Sequence, residues 1–185
     1  DMGCHAIEFF RWLLGKERIR SVYAHMNTSV HTGKTSGDDN SLIIIEFENG
    51  CTALAEESWV KLGGMDDRAE IHGSEGVAYA NLLQGNSILT YSEAGYGYAV
   101  EKAGESQGWS FTIYEEVWNY GFPQEFAHFI DCVQNDKEPI ETGEDGRAVL
   151  EALFAAYHSA GTGQKVMMPF HSDASKPHDL WKTDE

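Results

Sequence analysis

The first residues of the chain, DMGCHAIEFFRWLLG, include two side chains that together could move a proton. Asp1 and His5 stand four positions apart, and residues at this spacing lie side by side on a helix. A carboxylate beside an imidazole fixes its tautomer and stabilises its protonated form, which suits a histidine that exchanges protons with a substrate. A second interpretation stays open: Asp1 is only the helix N-cap, and His5 is an ordinary histidine at the border of an apolar face.

The helix that would carry this pair is predicted by its apolar spacing. Apolar residues recur at steps of three and four, namely Met2, Ala6, Phe9, Phe10 and Leu13. Gly15 follows the last of them and can adopt the left-handed conformation that ends a helix. Gly3 has no side chain, so we expect it to let a ligand or cofactor approach the helix backbone.

A run of strands follows this helix. Asn49-Gly50 separates SLIIIEFE from CTALAEESWV and predicts a two-residue hairpin turn. Ile43, Ile45 and Phe47 alternate with polar positions, which predicts one buried and one partly wet sheet face. Further strands are predicted for RAEIHG, VAYANLL, SILTYS and the long run WSFTIYEEVW, and a short one for QKVMMP.

Two later helices complete the predicted set. FPQEFAHFIDCVQN carries a proline in its first turn, and a second helix runs from about 144 to 160, with Thr142 or Asp145 as its cap. Strands followed by helices favour the α+β class, here an open, mostly antiparallel sheet with helices covering one face. We expect one domain over residues 1–170 and a polar tail over residues 171–185.

The composition limits the classes of function. Lys+Arg 13 against Asp+Glu 30 gives a formal charge of −17, which repels nucleic acid and anionic membrane surfaces. No apolar run approaches the roughly 20 residues of a membrane span. The three cysteines are far apart and form no CxxC pair, which favours a reducing compartment, and we therefore expect a cytoplasmic protein.

Other candidate residues carry weaker signals. Lys61 in the KLGGMDD loop and Tyr120 in WNYGF could contact substrate hydroxyls, although such residues are more often plain loop and packing residues. His25 and His31 have no third ligand nearby, so we predict no metal site. GYGYAV lacks the third glycine and the strand-to-helix setting of a dinucleotide-binding loop.

Several segments together resemble one family. D-x-G-x-H, followed by an apolar helix ending in Trp-Leu-Leu-Gly, is similar to the opening of the catalytic helix in the glucose–fructose oxidoreductase/inositol dehydrogenase (Gfo/Idh/MocA) family. IIIEFENGCTALAEESW and GGMDDRAEIHGSEGVAYAN resemble its hairpin and the segment that follows. EPIETGEDGRAVLEALFAAYHSAGTGQKVMMP is similar to its closing helix and strand. These segments occur in the family's order and cover most of residues 1–170.

The resemblance implies an activity and a division of labour. Members combine an N-terminal Rossmann domain, which binds NAD or NADP, with a C-terminal α+β domain that supplies much of the substrate site. It implies that His5 is the acid/base for a substrate hydroxyl and that Asp1 orients His5. It also implies a sugar, sugar derivative or polyol substrate, and a homo-oligomer formed through the open sheet.

The Rossmann glycines and catalytic lysine of the family precede D-x-G-x-H, whereas this chain begins at Asp1. Lys102 lies on the wrong side of the motif to replace that lysine. We therefore expect the chain alone to bind no nicotinamide cofactor well and to be inactive. Two alternatives remain: an NAD-dependent glycosidase of the same family, or a non-catalytic module for sheet-mediated oligomerisation or ligand binding.

Overall fold

A computed structural model describes residues 1–62, 66–82, 89–95, 107–111 and 116–181 of the chain. The chain divides into two compact units. Unit 1 comprises Asp1–Lys61 and Ile140–Glu185, and unit 2 comprises Leu62–Pro139. The sequence predicts a single domain over residues 1–170; in the structure, unit 2 is a compact insertion between two segments that together form unit 1.

Three helical segments and four strands make up the described part of unit 1. They are α1 Met2–Leu13, β1 Ile19–Asn27, β2 Asn40–Phe47, β3 Thr52–Ser58, α4 Gly143–Thr162, β8 Val166–Met167 and a 3-10 helix at Pro177–Leu180. Unit 2 contains β4 Arg68–His72, β5 Val77–Asn81, β6 Leu89–Ser92, β7 Gly108–Phe111, α2 Glu116–Asn119 and α3 Phe122–Asn135. None of the described helices has the length and apolar character that a bilayer crossing requires.

The strands of unit 1 form one antiparallel sheet with the order β3-β2-β1-β8. Ile43, Ile45 and Phe47 on β2 are buried, as their alternation predicts. The core is completed by Ile7 of α1, by small residues of α4, and by Val22 and its neighbours on β1. Helices α1 and α4 thus cover one face of the sheet, and the α+β prediction with an open antiparallel sheet is confirmed.

The turn between β2 and β3 differs from the prediction. Gly50 has a φ of 87°, but Asn49 does not share this left-handed conformation. The N–H of Phe47 donates to the carbonyl of Cys51 at 2.9 Å, so three residues, not two, form the loop. Asn49 contributes through its side chain instead, because its Oδ1 accepts the N–H of Cys51 at 2.9 Å. The register still places the three predicted core residues inward.

The described residues of unit 2 form two antiparallel hairpins, β4-β5 and β6-β7, and two helices. Helix α3 begins at Phe122 and has Pro123 in its first turn, as predicted. The prediction of one long strand for WSFTIYEEVW is wrong, because β7 ends at Phe111 and α2 begins at Glu116. Aromatic and β-branched residues gave this run its strand character, whereas the structure places Glu116–Asn119 in a helical turn.

The segment after β8, predicted as a polar tail, packs on α4 over the residues that the structure describes. Trp181 lies edge-on to Tyr157, with ring centroids 6.4 Å apart. The main chain also approaches Gly161 so closely that a Cβ there would overlap the carbonyl oxygen of Leu180. Gly161 therefore allows the 3-10 helix to lie directly against α4.

Candidate active site

Helix α1 presents one face to the protein and the other to solvent. Gly3, Ile7 and Arg11 follow at steps of four and form the inward stripe, and of the twelve helical residues only Ile7 and Arg11 are buried. His5 lies almost opposite Ile7 around the helix and is exposed. Its ring is therefore open to a ligand.

A groove runs between α1 and the first turns of α4 and has a volume of about 840 Å³. His5, Phe9 and Trp12, at steps of four and three, line the α1 side, while Arg147 and Leu150 line the α4 side. Gly143 and Gly146 open the α4 wall further, since a Cβ at either position would meet no atom within 4 Å. The groove therefore joins an imidazole to an aromatic wall formed by Phe9 and Trp12, whose ring centroids are 6.4 Å apart.

Asp1 occupies the N-cap position of α1, but its carboxylate makes no capping hydrogen bond. Its main-chain carbonyl accepts a hydrogen bond from Cys4 Sγ at 2.7 Å. Among the residues that the structure describes, no hydrogen bond or ion pair joins Asp1 to His5. The two side chains share the first turns of one exposed helix, and Asp1 is not part of the groove lining. The role of Asp1 as the residue that orients His5 stays a prediction.

Gly3 has a different role from the one the sequence predicts. A Cβ at this position would meet Ile43 Cδ1 at 3.4 Å and Leu153 Cδ2 at 3.5 Å. The side of α1 at which Gly3 lacks a side chain therefore faces aliphatic carbon of β2 and α4, not a space that is open to a ligand. The prediction that a cofactor approaches the backbone at Gly3 is wrong.

A cluster of five charged residues ties the end of α1 to the start of α4. The Arg11 guanidinium, 7% exposed, contacts Glu8 and donates to Asp145 at its carboxylate (3.1 Å) and main-chain oxygen (3.2 Å). The Lys16 ammonium lies 2.8 Å from Glu8, 2.6 Å from Glu141 and 3.3 Å from Asp145. We call these residues the ionic clamp. Oxygens of its three carboxylates approach one another as metal ligands do, but the Lys16 ammonium already contacts all three groups.

Contacts within the clamp shift the pKa values of Lys16, Asp145 and Glu141. Burial acts to lower the pKa of Lys16, but hydrogen bonds to three carboxylates outweigh it and raise that pKa above its ordinary value. Hydrogen bonds from the main chain and hydroxyl of Thr142 hold the pKa of Asp145 well below its usual range, with the clamp cations adding to the effect. Desolvation, together with the neighbouring Glu8, raises the pKa of Glu141.

Asp145 also helps to cap the start of helix α4. Thr142 is the N-cap, its side chain accepts the N–H of Asp145, and Asp145 in turn accepts the N–H of Thr142 at 3.0 Å. This reciprocal capping box confirms the capping role that the sequence predicts for these two residues. The carboxylate of Asp145 thus serves the helix start and the ionic clamp together.

The two weaker site predictions lie elsewhere in the chain. Lys61 follows β3 at the end of the first segment of unit 1 and does not line the groove. Tyr120 belongs to unit 2, in the turn after α2, with its ring edge-on to Phe122 at 6.4 Å. The substrate contacts predicted for Lys61 and Tyr120 stay predictions. Lys102 lies outside the described residues.

Sequence reasoning missed the ionic clamp and Arg147. The Glu8–Arg11 pair could have been found, because oppositely charged residues three apart on a helix are neighbours. The contact of Arg11 with Asp145 spans 134 positions and leaves no local signal. Arg147 is one charged residue among several in an amphipathic helix, and only the geometry of the groove singles it out.

Unit 1 is thus an α+β domain in which two helices cover one face of an open antiparallel sheet, and a histidine is exposed in a groove between these helices. A family model described as "Oxidoreductase family, C-terminal alpha/beta domain" matches residues 1–168. The chain therefore belongs to the Gfo/Idh/MocA oxidoreductase family and corresponds to its C-terminal domain.

Individual proteins similar to this chain act on polyols and sugars. The scyllo-inositol 2-dehydrogenase (NAD(+)) of Bacillus subtilis is 31% identical over 91% of this chain and 46% of its own length. The myo-inositol 2-dehydrogenase of Thermotoga maritima is 26% identical over 86% of this chain and 45% of its own. The crystal structure of GenD2 from gentamicin A biosynthesis, in complex with NAD, matches with a TM-score of 0.84 and 34% identity over 92% of this chain and 47% of that one. The chain thus spans about half the length of these relatives.

Proposed function

We propose that this chain is the substrate-side domain of an NAD(P)-dependent dehydrogenase that oxidises a hydroxyl of a sugar, a sugar derivative or a polyol. In this proposal His5 is the acid/base and Asp1 orients it. The family membership and the inositol dehydrogenases among the relatives support the class of substrate.

The observation that carries the proposal is the position of His5. Its side chain is exposed on the wall of the groove between α1 and α4, next to Phe9 on the same helix. No described residue holds the imidazole in a competing hydrogen bond or ion pair. An imidazole that a ligand can reach is suited to act as a general acid/base.

The proposed reaction oxidises a substrate hydroxyl group to a carbonyl group. The hydroxyl proton passes to a ring nitrogen of His5, the C–H bond breaks, and the carbon becomes a carbonyl. When bound, an oxidised nicotinamide dinucleotide supplies the acceptor for the hydride, which carries the two electrons. His5 is needed in its neutral form for oxidation and in its protonated form for the reverse reaction.

The described residues of this chain do not fit a dinucleotide site. All of their strand pairs are antiparallel, and none forms the strand–glycine turn–helix unit that places a pyrophosphate at a helix N-terminus. We therefore assign cofactor binding to another part of the full-length protein and only proton transfer to this chain. The choice between NAD and NADP belongs to that other part.

A spectrophotometric assay of the full-length protein tests the function. With NAD+ or NADP+ and a panel of inositols, aldoses and sugar acids, we expect absorbance at 340 nm to rise with at least one polyol or sugar. Aryl glycosides in the same assay separate the glycosidase alternative. Release of phenol without net reduction of the cofactor by any substrate in the panel would contradict the proposal.

We also propose that the chain forms a homo-oligomer through the face of its sheet that the helices leave uncovered. Tyr23, Ile44 and Leu54 are direct cross-strand neighbours on this face. Each is at least 39% exposed, and Leu54 reaches 59%. A row of three large apolar side chains across three strands is typical of a surface that another protein covers.

The cytoplasm is the location we propose. All three cysteines are free thiols in the structure, and Cys51 is exposed. Exposed free thiols persist best where the medium is reducing. Detection of the native protein in a fractionated cell would test this assignment.

A further inference from the structure

Helix α1 is anchored at two chemically different points. Ile7 lies in the apolar core and is fully buried, and Arg11, one turn later on the same face, reaches the acidic start of α4. Burial of an arginine costs free energy, because the desolvation of its charge must be offset by contacts with its partners. An apolar residue could hold the helix end against α4 at comparable stability. The choice of arginine therefore calls for a reason beyond the free energy of folding.

The guanidinium also fixes the orientation of helix α1. Its two nitrogens contact the carboxylate and the main-chain oxygen of Asp145, and Nη1 also contacts Glu8. A planar fork with contacts on several sides fixes the rotation of α1 around its own axis, which apolar contacts define much less sharply. Asp145 is itself fixed by the capping box with Thr142, so the reference point is rigid.

The rotation of α1 sets the position of His5. A helix with its side chains has a radius of about 5–6 Å, so a rotation of about 20° moves an outward ring by about 2 Å. An error of about 1 Å in the position of a reacting group can cost about 10²-fold in rate. We propose that Arg11 is a positioning residue. Through its contacts with Asp145 it fixes the rotation of α1 and so holds the His5 ring where proton transfer requires it. This inference rests on the proposed function of His5.

Loss of Arg11 should not leave its partners without a cation. The Lys16 ammonium still contacts Glu8 at 2.8 Å and Asp145 at 3.3 Å. Arg11→Met keeps the aliphatic stem and removes only the fork, so we expect the variant to fold. Arg11→Lys keeps the charge but can make only part of the contacts, and it should give an intermediate rate.

A double-mutant cycle in the full-length protein tests the proposal. The variants are Arg11→Met, His5→Ala and the combination, with Ser159→Ala as the control for a buried polar loss far from the clamp. We expect Arg11→Met to lower kcat at least tenfold, with KM and the cofactor dissociation constant within about threefold, because only the transition state is affected. In the His5→Ala background the same change should have no further effect on kcat, whereas Ser159→Ala should leave kcat unchanged in both backgrounds.

The possible outcomes distinguish the positioning role of Arg11 from the acid/base role of His5. A kcat for Arg11→Met within threefold of the wild type, while His5→Ala is inactive, overturns the positioning role and leaves the proposed function intact. An equal loss from Arg11→Met with and without His5 also overturns it, because the effect would then be structural. A fully active His5→Ala overturns the acid/base role itself and the positioning role with it. If Arg11→Met fails to fold, the cycle with Arg11→Lys decides by the same criteria.

Discussion

The Oγ of Ser159 accepts a hydrogen bond from the N–H of Ala24 at 2.9 Å, which links the last turn of α4 to strand β1. The hydroxyl of Ser159 in turn donates a hydrogen bond to the carbonyl of Gln164 at 2.6 Å. Strand β8 pairs with β1 only at Ser21 and Val22, so the hydroxyl supplies the partner that the ladder lacks at Ala24. One fully buried serine therefore completes the sheet beneath the helix that forms a wall of the groove.

Replacement of Ser159 by alanine is expected to destabilise unit 1. The N–H of Ala24 would then be buried without an acceptor, at a cost of about 1–3 kcal/mol. Urea denaturation followed by circular dichroism measures the free energy of unfolding. Ser172→Ala, in an exposed turn, is the matched control and should change it by less than about 0.5 kcal/mol. An equal, small effect for both variants would mean that another group satisfies Ala24.

The lowered pKa of the Asp39 carboxyl predicts that the folded state loses stability at low pH. Burial acts to raise the pKa of its carboxyl, but main-chain hydrogen bonds from His31, Ser29 and Val30 outweigh it and lower the pKa to about 2. The folded state thus binds this proton less readily than the unfolded chain. Its contribution is complete above the ordinary carboxyl pKa near 4 and is lost as the pH falls towards 2.

Denaturation between pH 5 and pH 2 checks this contribution. The unfolding free energy of the wild type is expected to fall as the pH is lowered over this range. Asp39→Asn should have a lower unfolding free energy than the wild type at pH 5, and its unfolding free energy should depend less on pH. An amide offers one acceptor oxygen where the carboxylate offers two. Asp173→Asn, at an exposed site, should keep the wild-type pH profile. A profile for Asp39→Asn parallel to that of the wild type would contradict the prediction.

Two glycines give opposite predictions for the same substitution. Gly3→Ala adds a methyl group at ordinary contact distance from Ile43 and Leu153, and alanine favours the helix by about 1 kcal/mol. We expect stability within about 1 kcal/mol of the wild type and unchanged turnover in the full-length protein. A selective loss of turnover would instead restore the idea of a ligand close to the Gly3 backbone.

Gly161→Ala should be damaging. Its Cβ would overlap the carbonyl of Leu180 and lie 3.0 Å from that of Trp181, and main chain cannot move aside as a side chain can. Such overpacking typically costs about 1–3 kcal/mol. Trp181 fluorescence should report displacement of the 3-10 helix from α4. An unchanged emission spectrum and melting temperature would show that the segment adapts without cost.

A charged substitution on the uncovered sheet face is expected to change the oligomeric state. Leu54→Glu places a charge at one end of the row formed with Ile44 and Tyr23, and burial of an unpaired carboxylate is costly. We expect light scattering to show a smaller assembly for this variant than for the wild type. Val30→Glu, exposed but outside the sheet, should leave the mass unchanged. A wild-type mass for Leu54→Glu would exclude this face as the interface.

Local sequence signals predicted the elements of unit 1 well. The alternation of Ile43, Ile45 and Phe47 determined which sheet face is buried, and Gly15, at φ 68°, follows α1 as expected. Contacts between distant segments could not be predicted in this way. Arg11 meets Asp145 only because two helices cross a common sheet, and Gly3 serves packing rather than ligand access for the same reason.

The site was predicted only in part. The D-x-G-x-H spacing identified the helix and the exposed histidine, but the groove beside His5 depends on α4, which is more than 130 residues away. The hydrogen bond between Asp1 and His5 that the spacing suggested is not formed among the described residues. Side-chain rotation decides such contacts, and a four-residue spacing permits them without requiring them.

The rate of His5→Ala in the full-length protein tests the central claim most directly. General acid–base catalysis typically contributes about 10²–10⁴-fold, so we expect kcat to fall by at least about 100-fold while the cofactor dissociation constant is retained. Steady-state reduction of the nicotinamide and a separate cofactor titration measure the two quantities. A kcat within about threefold of the wild type, which corresponds to less than about 1 kcal/mol, would contradict the acid/base role.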